Sequence, residues 1–303
     1  MSEEVLVTGG TGFIGSHLAA ELAATGRNVT VLSRDTPDRE CGPDSTKKIQ
    51  GDVRTLDEIP SFRRYDTVFH LAGVVSVQGS IEDPQQTFQV NTVGTQNVLE
   101  RARRDNVDEV VYLSSASVYG KPEDLPISEN HPIQPTHPYA ATKAAGEDLV
   151  NGYAAAYDIG TKIVRAFTVY GPGQSSDNLV PMIIKQAESG GPVELGNTDP
   201  TRDFVHVQDL VRGIETLVES DGSSDGVYNI GSGQESSVMD VVDAVLDALD
   251  KPDIDVNSDA GGRSSDVEIE RMVSDNSRIE ALGWSPKFDL QNGITHTIKS
   301  SRI

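Results

Sequence analysis

A tyrosine and a lysine four positions apart, Tyr139 and Lys143, are the residues of this sequence best suited to proton transfer. Pro138 opens the helix predicted to carry them, and a spacing of four puts both side chains on one helix face. A phenol is a poor base at its ordinary pKa of about 10, but a neighbouring ammonium favours the phenolate. We therefore expect Lys143 to lower the pKa of Tyr139 toward neutrality, so that Tyr139 acts as general base and acid.

Two serines, Ser114 and Ser115, end an apolar strand-like stretch that precedes this helix. A hydroxyl at that strand end can hydrogen-bond the same substrate oxygen as Tyr139. Taken alone, a tyrosine and a lysine at this spacing are common on protein surfaces. The catalytic interpretation therefore depends on the elements that hold these residues.

The amino-terminal segment 5–18 contains the first of those elements. A short apolar run at residues 5–7 leads into Gly9, Gly12 and Gly15, around which apolar residues recur at helical spacing. This pattern predicts a strand, a glycine-rich turn and a helix. Glycines in such a turn let the backbone approach a pyrophosphate, and the helix amino terminus directs free N–H groups at the phosphates. The segment therefore predicts a dinucleotide-binding turn.

The end of the second predicted strand, Ser33-Arg34, bears on which dinucleotide is bound. NAD-binding proteins usually place an acidic residue there, which accepts a hydrogen bond from the ribose 2′-hydroxyl. This strand tip has no acidic residue and offers Arg34 to a 2′-phosphate, although Asp35 follows. The predicted cofactor is therefore NAD or NADP, with NADP favoured.

Strand and helix patterns alternate along the first 170 residues. Strands are predicted at 28–33, 48–53, 66–73, 109–115 and 161–167, with helices opening at Pro84 and Pro138. Such alternation predicts an α/β fold with a doubly wound parallel sheet. From residue 171 the pattern becomes irregular, which indicates a smaller α+β carboxy-terminal region. We expect residues 1–170 to bind the dinucleotide, 171–202 and 219–303 to bind the substrate, and 203–218 to return to the first domain.

Charge and cysteine content limit the possible partners. The formal net charge is −22 in 303 residues, so nucleic acids and anionic membranes would be repelled. We interpret this charge as adaptation to high salt, where screening removes self-repulsion. The single cysteine, Cys41, permits no internal disulfide, and no metal site is predicted. No apolar stretch is long enough to span a bilayer, and no signal segment precedes the first strand, so we expect a cytoplasmic protein.

Motifs along nearly the whole chain resemble those of the extended short-chain dehydrogenases/reductases, within the nucleotide-sugar epimerase/dehydratase family. In the first half, the matching stretches are Thr8-Gly-Gly-Thr-Gly-Phe-Ile-Gly15, Gly51-Asp-Val53, His70-Leu-Ala-Gly73, Asn91-Thr-Val-Gly-Thr95, Ser114-Ser-Ala-Ser-Val-Tyr-Gly120 and Tyr139-x-x-x-Lys143. In the second half they are Val169-Tyr-Gly-Pro-Gly173, Asn178-Leu179, Arg202-Asp-Phe-Val-His-Val207, Tyr228-Asn-Ile-Gly-Ser-Gly233 and Leu282-Gly-Trp284. These motifs are specific for the family and much less so for the substrate.

The resemblance implies a Rossmann fold and a role for each matching residue. Tyr139 would be the general base and acid, Lys143 would hold the nicotinamide ribose, and Ser115 would assist. With the glycine turn and the strand tip, the dinucleotide contacts would be Gly9, Gly12, Phe13, Ile14, Gly15, Ser33, Arg34, Asp52, Val53, Leu71, Ala72, Gly73, Asn91, Tyr139 and Lys143. The substrate contacts would be Ser76, Ser115, Ala116, Ser117, Thr168, Asn178, Leu179, Arg202 and Arg263. In this set, Arg202 and Arg263 would clamp the diphosphate of a nucleotide-sugar.

Two departures from the family pattern narrow the activity. Family members that eliminate water carry Asp-Glu just after the catalytic hydroxyl, where this chain has Ala116 and Ser117. Without an acid to protonate the leaving hydroxyl, 4,6-dehydration is not expected. Thr168 stands where epimerases often have Asn, which leaves one substrate contact open.

We therefore predict an NAD(P)-dependent nucleotide-sugar epimerase, which oxidises a sugar hydroxyl and returns the hydride to the opposite face. One alternative is an NADPH-dependent keto-sugar reductase, to which the strand tip Ser33-Arg34 points. Another, of a different class, is a dinucleotide-sensing protein without catalysis. The resemblance also implies a homodimer formed through the helices after Pro84 and Pro138. The sequence leaves open the base, the sugar and the carbon inverted.

Overall fold

The computed structural model describes residues 2–34, 46–220, 226–258 and 269–300. Its strands are, in chain order, β1 (Glu4–Thr8), β2 (Asn28–Ser33), β3 (Lys47–Gln50), β4 (Thr67–His70), β5 (Glu109–Ser115), β6 (Gly160–Ala166), β7 (Thr168–Tyr170), β8 (Val193–Leu195), β9 (Thr201–Arg202), β10 (Phe204–His206), β11 (Gly226–Ile230), β12 (Ser236–Ser237) and β13 (Val256–Ser258). Its helices are α1 (Phe13–Ala24), α2 (Val77–Glu82), α3 (Pro84–Phe88), α4 (Gly94–Asp105), α5 (Pro138–Tyr157), α6 (Leu179–Ser189), α7 (Val207–Glu219), α8 (Val238–Leu249), α9 (Ser277–Glu280) and α10 (Leu290–Ser300), with 3₁₀ turns at Leu56–Glu58 and Ala116–Tyr119 and a π turn at Gln89–Val93. Among these described helices, none combines the length and apolar character that crossing a bilayer requires.

Internal contacts divide the chain into two compact units. The first contains the described residues of Met1–Gly120, Pro132–Arg165 and Ile214–Tyr228. The second contains those of Lys121–His131, Ala166–Gly213 and Asn229–Ile303. The predicted division of ligand binding stays a prediction. It assigns the dinucleotide to residues 1–170, with 203–218 returning to that domain, and the substrate to the rest of the chain.

One sheet of the described residues has seven strands in the order β11-β6-β5-β4-β1-β2-β3. The pairs β1–β2, β2–β3, β1–β4 and β4–β5 are all parallel. The chain builds outward from β1 to β3 and then returns to the other side of β1, so the strand order reverses between β1 and β4. In such sheets, ligands bind beyond the carboxyl ends of the strands at this reversal. The predicted α/β fold with a doubly wound parallel sheet is confirmed.

The central strands are continuous apolar runs. Val5, Leu6 and Val7 of β1 and Val68 and Phe69 of β4 have no exposed surface. Strands of a parallel sheet that are buried on both faces need apolar side chains at successive positions, not only at alternate ones. The polar residues that follow these strands are therefore left at the carboxyl edge of the sheet.

The helix predicted to open at Pro84 is divided by a π turn. Asp83 caps α3, because its side chain accepts a hydrogen bond from the Gln86 N–H at 2.9 Å. Pro84 takes the first helical position, where an N–H has no intrahelical partner. The π turn Gln89–Val93 then separates α3 from α4 and carries Asn91. Single π turns inside helices are frequent at functional sites, and the hydrophobic pattern gives no sign of this one.

The second unit consists of short strand pairs and helices. β7 pairs with β10 and β8 with β13 in parallel, whereas β9 and β12 are antiparallel. Helices α6, α8 and α10 contribute apolar side chains to one core. Ser237 and Asp240 begin α8 with reciprocal side-chain to backbone hydrogen bonds. Short elements joined by longer connections account for the irregular sequence pattern of this region.

Candidate active site

The glycine-rich turn between β1 and α1 has no room for side chains at two positions. Gly9 has a φ of 71°, and a Cβ there would lie 2.8 Å from the Cα and N of Ala72. A Cβ on Gly15 would collide with the carbonyl oxygen of Gly9. The Gly12 N–H donates to that carbonyl at 2.9 Å, and Gly12 then begins α1 without a side-chain cap. The first N–H groups of α1 are thus left for a ligand, as in phosphate-binding turns.

A cavity of about 310 Å³ lies beside this turn, at the carboxyl ends of the first strands. Its lining residues are Gly9, Thr11, Gly12, Phe13, Ile14, Gly15, Leu32, Ser33, Arg34, Gly51, Asp52, Val53, Leu71, Ala72, Gly73, Val75, Val90 and Leu113. The predicted cofactor residues are all in this set except Asn91, Tyr139 and Lys143. Sequence reasoning missed Thr11, Leu32, Gly51, Val75, Val90 and Leu113, most of which look like core residues in a linear pattern. A glycine cradle beside a cavity along the strand ends fits a dinucleotide.

One arginine and one carboxylate, Arg34 and Asp52, line the cavity at the ends of β2 and β3. Arg54 holds the Asp52 carboxylate, with Nε and Nη2 at 2.9 and 2.5 Å from Oδ2. This hydrogen bond, with a smaller contribution from Arg34, lowers the pKa of Asp52 below its ordinary value. Arg34 is exposed and lines the cavity beside Ser33. The prediction of NADP depends on this pair of residues.

The three predicted catalytic side chains form one cluster at the end of β5. Tyr139, in the first turn of α5, is hydrogen-bonded with the side chain of Ser115. Lys143 lies one turn further along α5, and its Nζ donates to the Leu113 carbonyl at 2.8 Å. A Cβ on Gly73, in the cavity wall, would lie 3.5 Å from this Nζ. The cluster therefore lies beside the cavity that fits the dinucleotide.

Burial has the largest influence on the proton affinities of this cluster. It raises the pKa of Tyr139, and the hydrogen bond with Ser115 opposes that change only in part. Burial also lowers the pKa of Lys143 to about 8, against the attraction of Glu147. The expectation that Lys143 brings the Tyr139 pKa toward neutrality is wrong for this structure. The Lys143 ammonium is hydrogen-bonded to the Leu113 carbonyl. The Tyr139 side chain is buried away from water, which disfavours its phenolate form.

Asn91, in the π turn, ties the cavity wall to α5. Its Oδ1 accepts from the Val74 N–H at 2.8 Å, and its Nδ2 donates to the Val74 carbonyl at 3.0 Å. The same Nδ2 donates to Thr142 Oγ1 at 3.1 Å. Asn91 is buried behind Gly73, where a Cβ would lie 3.2 Å from its Oδ1. It therefore shapes the wall of the cavity from behind.

A chain of buried hydrogen bonds supports the same wall from β1 and β4. Thr95 Oγ1 donates to the Asn91 carbonyl at 2.5 Å, so its oxygen accepts from His70 Nε2 at 3.0 Å. His70 Nδ1 then accepts from the Thr8 hydroxyl at 2.8 Å, and Thr8 accepts from the Ala72 N–H at 3.3 Å. Burial lowers the pKa of His70 to about 3, which keeps its ring neutral. His70 is thus a packed residue that holds the backbone of the cavity wall.

Three of the predicted substrate residues in the first unit lie near the strand ends. Ser76 caps α2, and its Oγ accepts from the Gly79 N–H at 2.9 Å. Ala116 is buried, whereas Ser117 is partly exposed and donates its N–H to Ser115 Oγ at 3.2 Å. Neither of these two positions carries an ionisable group next to Ser115.

The other predicted substrate residues belong to the second unit or lie outside the described residues. Thr168 begins β7, Asn178 precedes α6, and Leu179 is the first residue of that helix. Arg202 ends β9, and its Nη1 donates to the Thr201 carbonyl at 2.7 Å. Arg263 lies outside the described residues. Within the described part of the chain, no three His, Cys, Asp or Glu residues are grouped so that they could hold a metal ion.

Comparison with known proteins connects this geometry with a family. The model of the NAD-dependent epimerase/dehydratase family matches residues 5–231. The UDP-glucose 4-epimerase of Mycolicibacterium smegmatis is 34% identical over 98% of both chains. The UDP-glucose 4-epimerase of Thermus thermophilus, solved with NAD, superposes with a TM-score of 0.89 at 33% identity over 99% of both chains. MoeE5, solved with UDP-glucuronic acid and NAD, superposes with a TM-score of 0.88, also at 33% identity and over 99% of both chains.

Proposed function

Because the chain belongs to the NAD-dependent epimerase/dehydratase family and is an NAD-dependent nucleotide-sugar epimerase, we propose that it inverts carbon 4 of a UDP-linked hexose. The observation that carries the proposal is the hydrogen-bonded pair Ser115–Tyr139, which lies with Lys143 beside the dinucleotide cavity. Uridine and carbon 4 are the features that the names of the two similar epimerases share. An epimerase is supported over the keto-sugar reductase and the non-catalytic sensor, because these relatives match nearly the whole chain.

In the proposed mechanism, Tyr139 moves one proton in each direction. The phenolate form of Tyr139, which the hydrogen bond with Ser115 favours and burial opposes, would take the proton of the sugar hydroxyl. The Ser115 hydroxyl would hold the same sugar oxygen. The glycine turn and the strand ends would hold NAD, which would supply the hydride acceptor for the sugar carbon and the donor for its return. Tyr139 then returns the proton after the keto-sugar has turned its other face. Lys143, whose Nζ lies beside Gly73 of the cavity wall, would hold the nicotinamide ribose.

Dehydration is not proposed, because the positions after Ser115 cannot supply an acid. Ala116 is buried and has no polar atom on its side chain, and Ser117 is a hydroxyl whose backbone N–H is bonded to Ser115. Elimination of water needs a proton donor for the leaving hydroxyl, and neither residue is one. The sugar hydroxyl groups would therefore all be retained.

We further propose that the predicted substrate residues hold the nucleotide-sugar. Asn178 and Leu179, at the beginning of α6, would contact the UDP, and Thr168 and Ser76 would contact the sugar. Arg202 and Arg263 would clamp the diphosphate. A chain with a net charge of −22 needs such local guanidinium groups to hold a dianion.

NAD is the cofactor of this family and of the solved relatives, and the preference predicted for NADP receives no support from them. Arg34 is nevertheless at the cavity.

The epimerase should interconvert UDP-glucose and UDP-galactose without net consumption of NAD or NADH. The reason is that the hydride taken from carbon 4 returns to the same carbon. Chromatography of the two UDP-sugars, with the absorbance of the reduced nicotinamide followed in parallel, measures both quantities. Consumption of one reduced nicotinamide per product would instead identify a reductase. If neither UDP-sugar were converted, the substrate would have to contain another sugar or another base.

Two further features are proposed for the whole molecule. The first is a homodimer formed through α3, α4 and α5, on which Phe88 and Tyr157 keep about half of their surface exposed. These exposed side chains would be available to such an interface. The second is a cytoplasmic location, which agrees with a soluble nucleotide-sugar as substrate.

The acidic composition is proposed to be an adaptation to salt. At a net charge of −22, self-repulsion destabilises the folded chain, and salt screens it over a Debye length of roughly 3 Å at 1 M. We expect the melting temperature to rise steadily from low to molar KCl. Chloride is used because sulfate stabilises most proteins by exclusion from the surface. Equal melting temperatures across the series would contradict the proposal.

A further inference from the structure

Consecutive residues at the end of β5 are each bonded to a different side chain of α5. The α5 residues follow one another at intervals of four, so they share one face of the helix. The end of β5 and one face of α5 are therefore joined at three points, two of which involve predicted catalytic side chains. The three pairs are Leu113 with Lys143, Ser114 with Glu147, and Ser115 with Tyr139.

The pair that has no role in the proposed mechanism is the most deeply buried. The Glu147 carboxylate accepts the Ser114 hydroxyl and also forms an ion pair with Arg165 of β6. Arg165 reaches it with two nitrogens, Nη2 at 2.6 Å from Oε2 and Nε at 3.0 Å from Oε1. The side chains of Glu147 and Arg165 are 2% and 4% exposed. Removing two charges from water costs several kcal/mol, so a buried ion pair is a weak source of stability.

Arg165 also contacts the chain on the other side of Ser115. Its Nη1 donates to the Tyr119 hydroxyl at 2.9 Å. Tyr119 ends the 3₁₀ turn that starts directly after Ser115, and Ser115 Oγ accepts a hydrogen bond within that turn. The ion pair therefore holds the residue before Ser115 through Ser114, and the turn after it through Tyr119.

We propose that Glu147 and Arg165 are positioning residues, whose ion pair sets the Ser115 hydroxyl against Tyr139. The proposal rests on the epimerase mechanism above, in which Ser115 and Tyr139 share one substrate oxygen. Because a hydrogen bond depends steeply on distance and angle, a small shift of β5 relative to α5 would weaken it. Glu147 holds the residue before Ser115, and Arg165 holds the turn after it, so the ion pair acts on the chain on both sides of this hydroxyl.

The pKa of Tyr139 reports this placement. The bond with Ser115 lowers that pKa and burial raises it, so a displaced Ser115 leaves burial unopposed and the pKa rises. Replacing the Glu147 carboxylate would also remove the attraction that favours the protonated form of Lys143. The titratable groups near Tyr139 are His137, stacked on its ring, Tyr112 of β5, and Lys143 one turn along α5. Glu147 and His70 face Lys143 in turn.

The test compares Glu147→Gln with Glu109→Gln. Glu109 of β5 forms an ion pair with Lys162 of β6 near the start of both strands, away from Ser115, and serves as the matched control. Four quantities are measured for each variant: the melting temperature, kcat, KM for UDP-glucose, and the pKa of Tyr139. This pKa is obtained from the tyrosinate absorbance as the difference from the same protein carrying Tyr139→Phe.

We expect Glu147→Gln to lower kcat at least about tenfold, with KM changed less than about threefold. The acid limb of the kcat profile and the pKa of Tyr139 should both move to higher pH. Glu109→Gln should lower the melting temperature and leave kcat and the Tyr139 pKa unchanged. The same values of kcat and Tyr139 pKa for both variants would overturn the proposal, whatever their melting temperatures.

A second variant keeps the test decisive if Glu147→Gln does not fold. Tyr119→Phe removes only the hydroxyl that Arg165 contacts and keeps the buried ring. It should lower kcat and raise the Tyr139 pKa, and a wild-type value of both would overturn the proposal. Because the titration needs no substrate, it decides the positioning role even if UDP-hexoses are not turned over.

Discussion

Tyr139→Phe is expected to lower kcat by a factor of about 10³ and to leave NAD binding intact. Proton transfer by a positioned side chain contributes roughly 10² to 10⁴ in rate, and Tyr139 is the residue hydrogen-bonded to Ser115 beside the cavity. The phenylalanine ring fills the same volume, and the residues that line the cavity do not include Tyr139. Binding and catalysis should therefore separate in this variant.

The measurement pairs the initial rate of UDP-glucose conversion with the nucleotide content of the purified protein. Tyr153→Phe is the matched control, because Tyr153 is on the same helix and its hydroxyl donates to Glu100 at 3.4 Å, away from Ser115. That variant should keep its rate within about threefold. A Tyr139→Phe protein as active as wild type would exclude Tyr139 as the acid and base, and would favour a sensing function.

Gly15→Ala is expected to abolish NAD binding. A Cβ on Gly15 has no free space, since it would collide with the Gly9 carbonyl oxygen in the turn that carries the phosphate-binding N–H groups. The turn would have to open, and both the backbone N–H groups and the close approach of α1 to β1 would be lost. Overpacking of this kind costs about 1–3 kcal/mol in stability.

Mass spectrometry of the nucleotide in purified protein and a thermal melt check both effects. Gly152→Ala is the control, because Gly152 is in α5 and a Cβ there would meet no atom within 4 Å. An alanine in an exposed helix interior stabilises by up to about 1 kcal/mol relative to glycine. If Gly15→Ala retained NAD and an unchanged melting temperature, the glycine turn would not be the pyrophosphate site.

The parts of the fold that depend on local pattern could be predicted from the sequence. The strands expected at 28–33 and 109–115 have those bounds in the structure, and Pro138 begins α5 as expected. The glycine turn was recognisable because strand, turn and helix are adjacent in the chain. Most of the predicted cofactor residues line the cavity for the same reason.

The features that depend on distant parts of the chain could not be predicted. The π turn at Asn91 has no periodic signal, and its partner Val74 lies 17 positions away. The direction of the Tyr139 pKa was wrong because burial cannot be read from a spacing of four residues. The ion pair of Glu147 and Arg165 joins a helix to a strand, and in the sequence each is an ordinary charged residue.

The hydrogen bonds that pass through His70 all run in one direction, from the Ala72 amide to the Asn91 carbonyl. The Thr8 and Thr95 hydroxyls each donate one hydrogen bond in this series. No single hydrogen bond can therefore be reversed without reversing its neighbours. The single proton of the neutral ring is therefore confined to Nε2, in a ring that is 1% exposed. Because Nε2 faces Thr95 of α4, exchange of this proton with deuterium requires α4 to move away from β4. The rate of that exchange would measure how often this helix opens from the sheet behind the cavity wall.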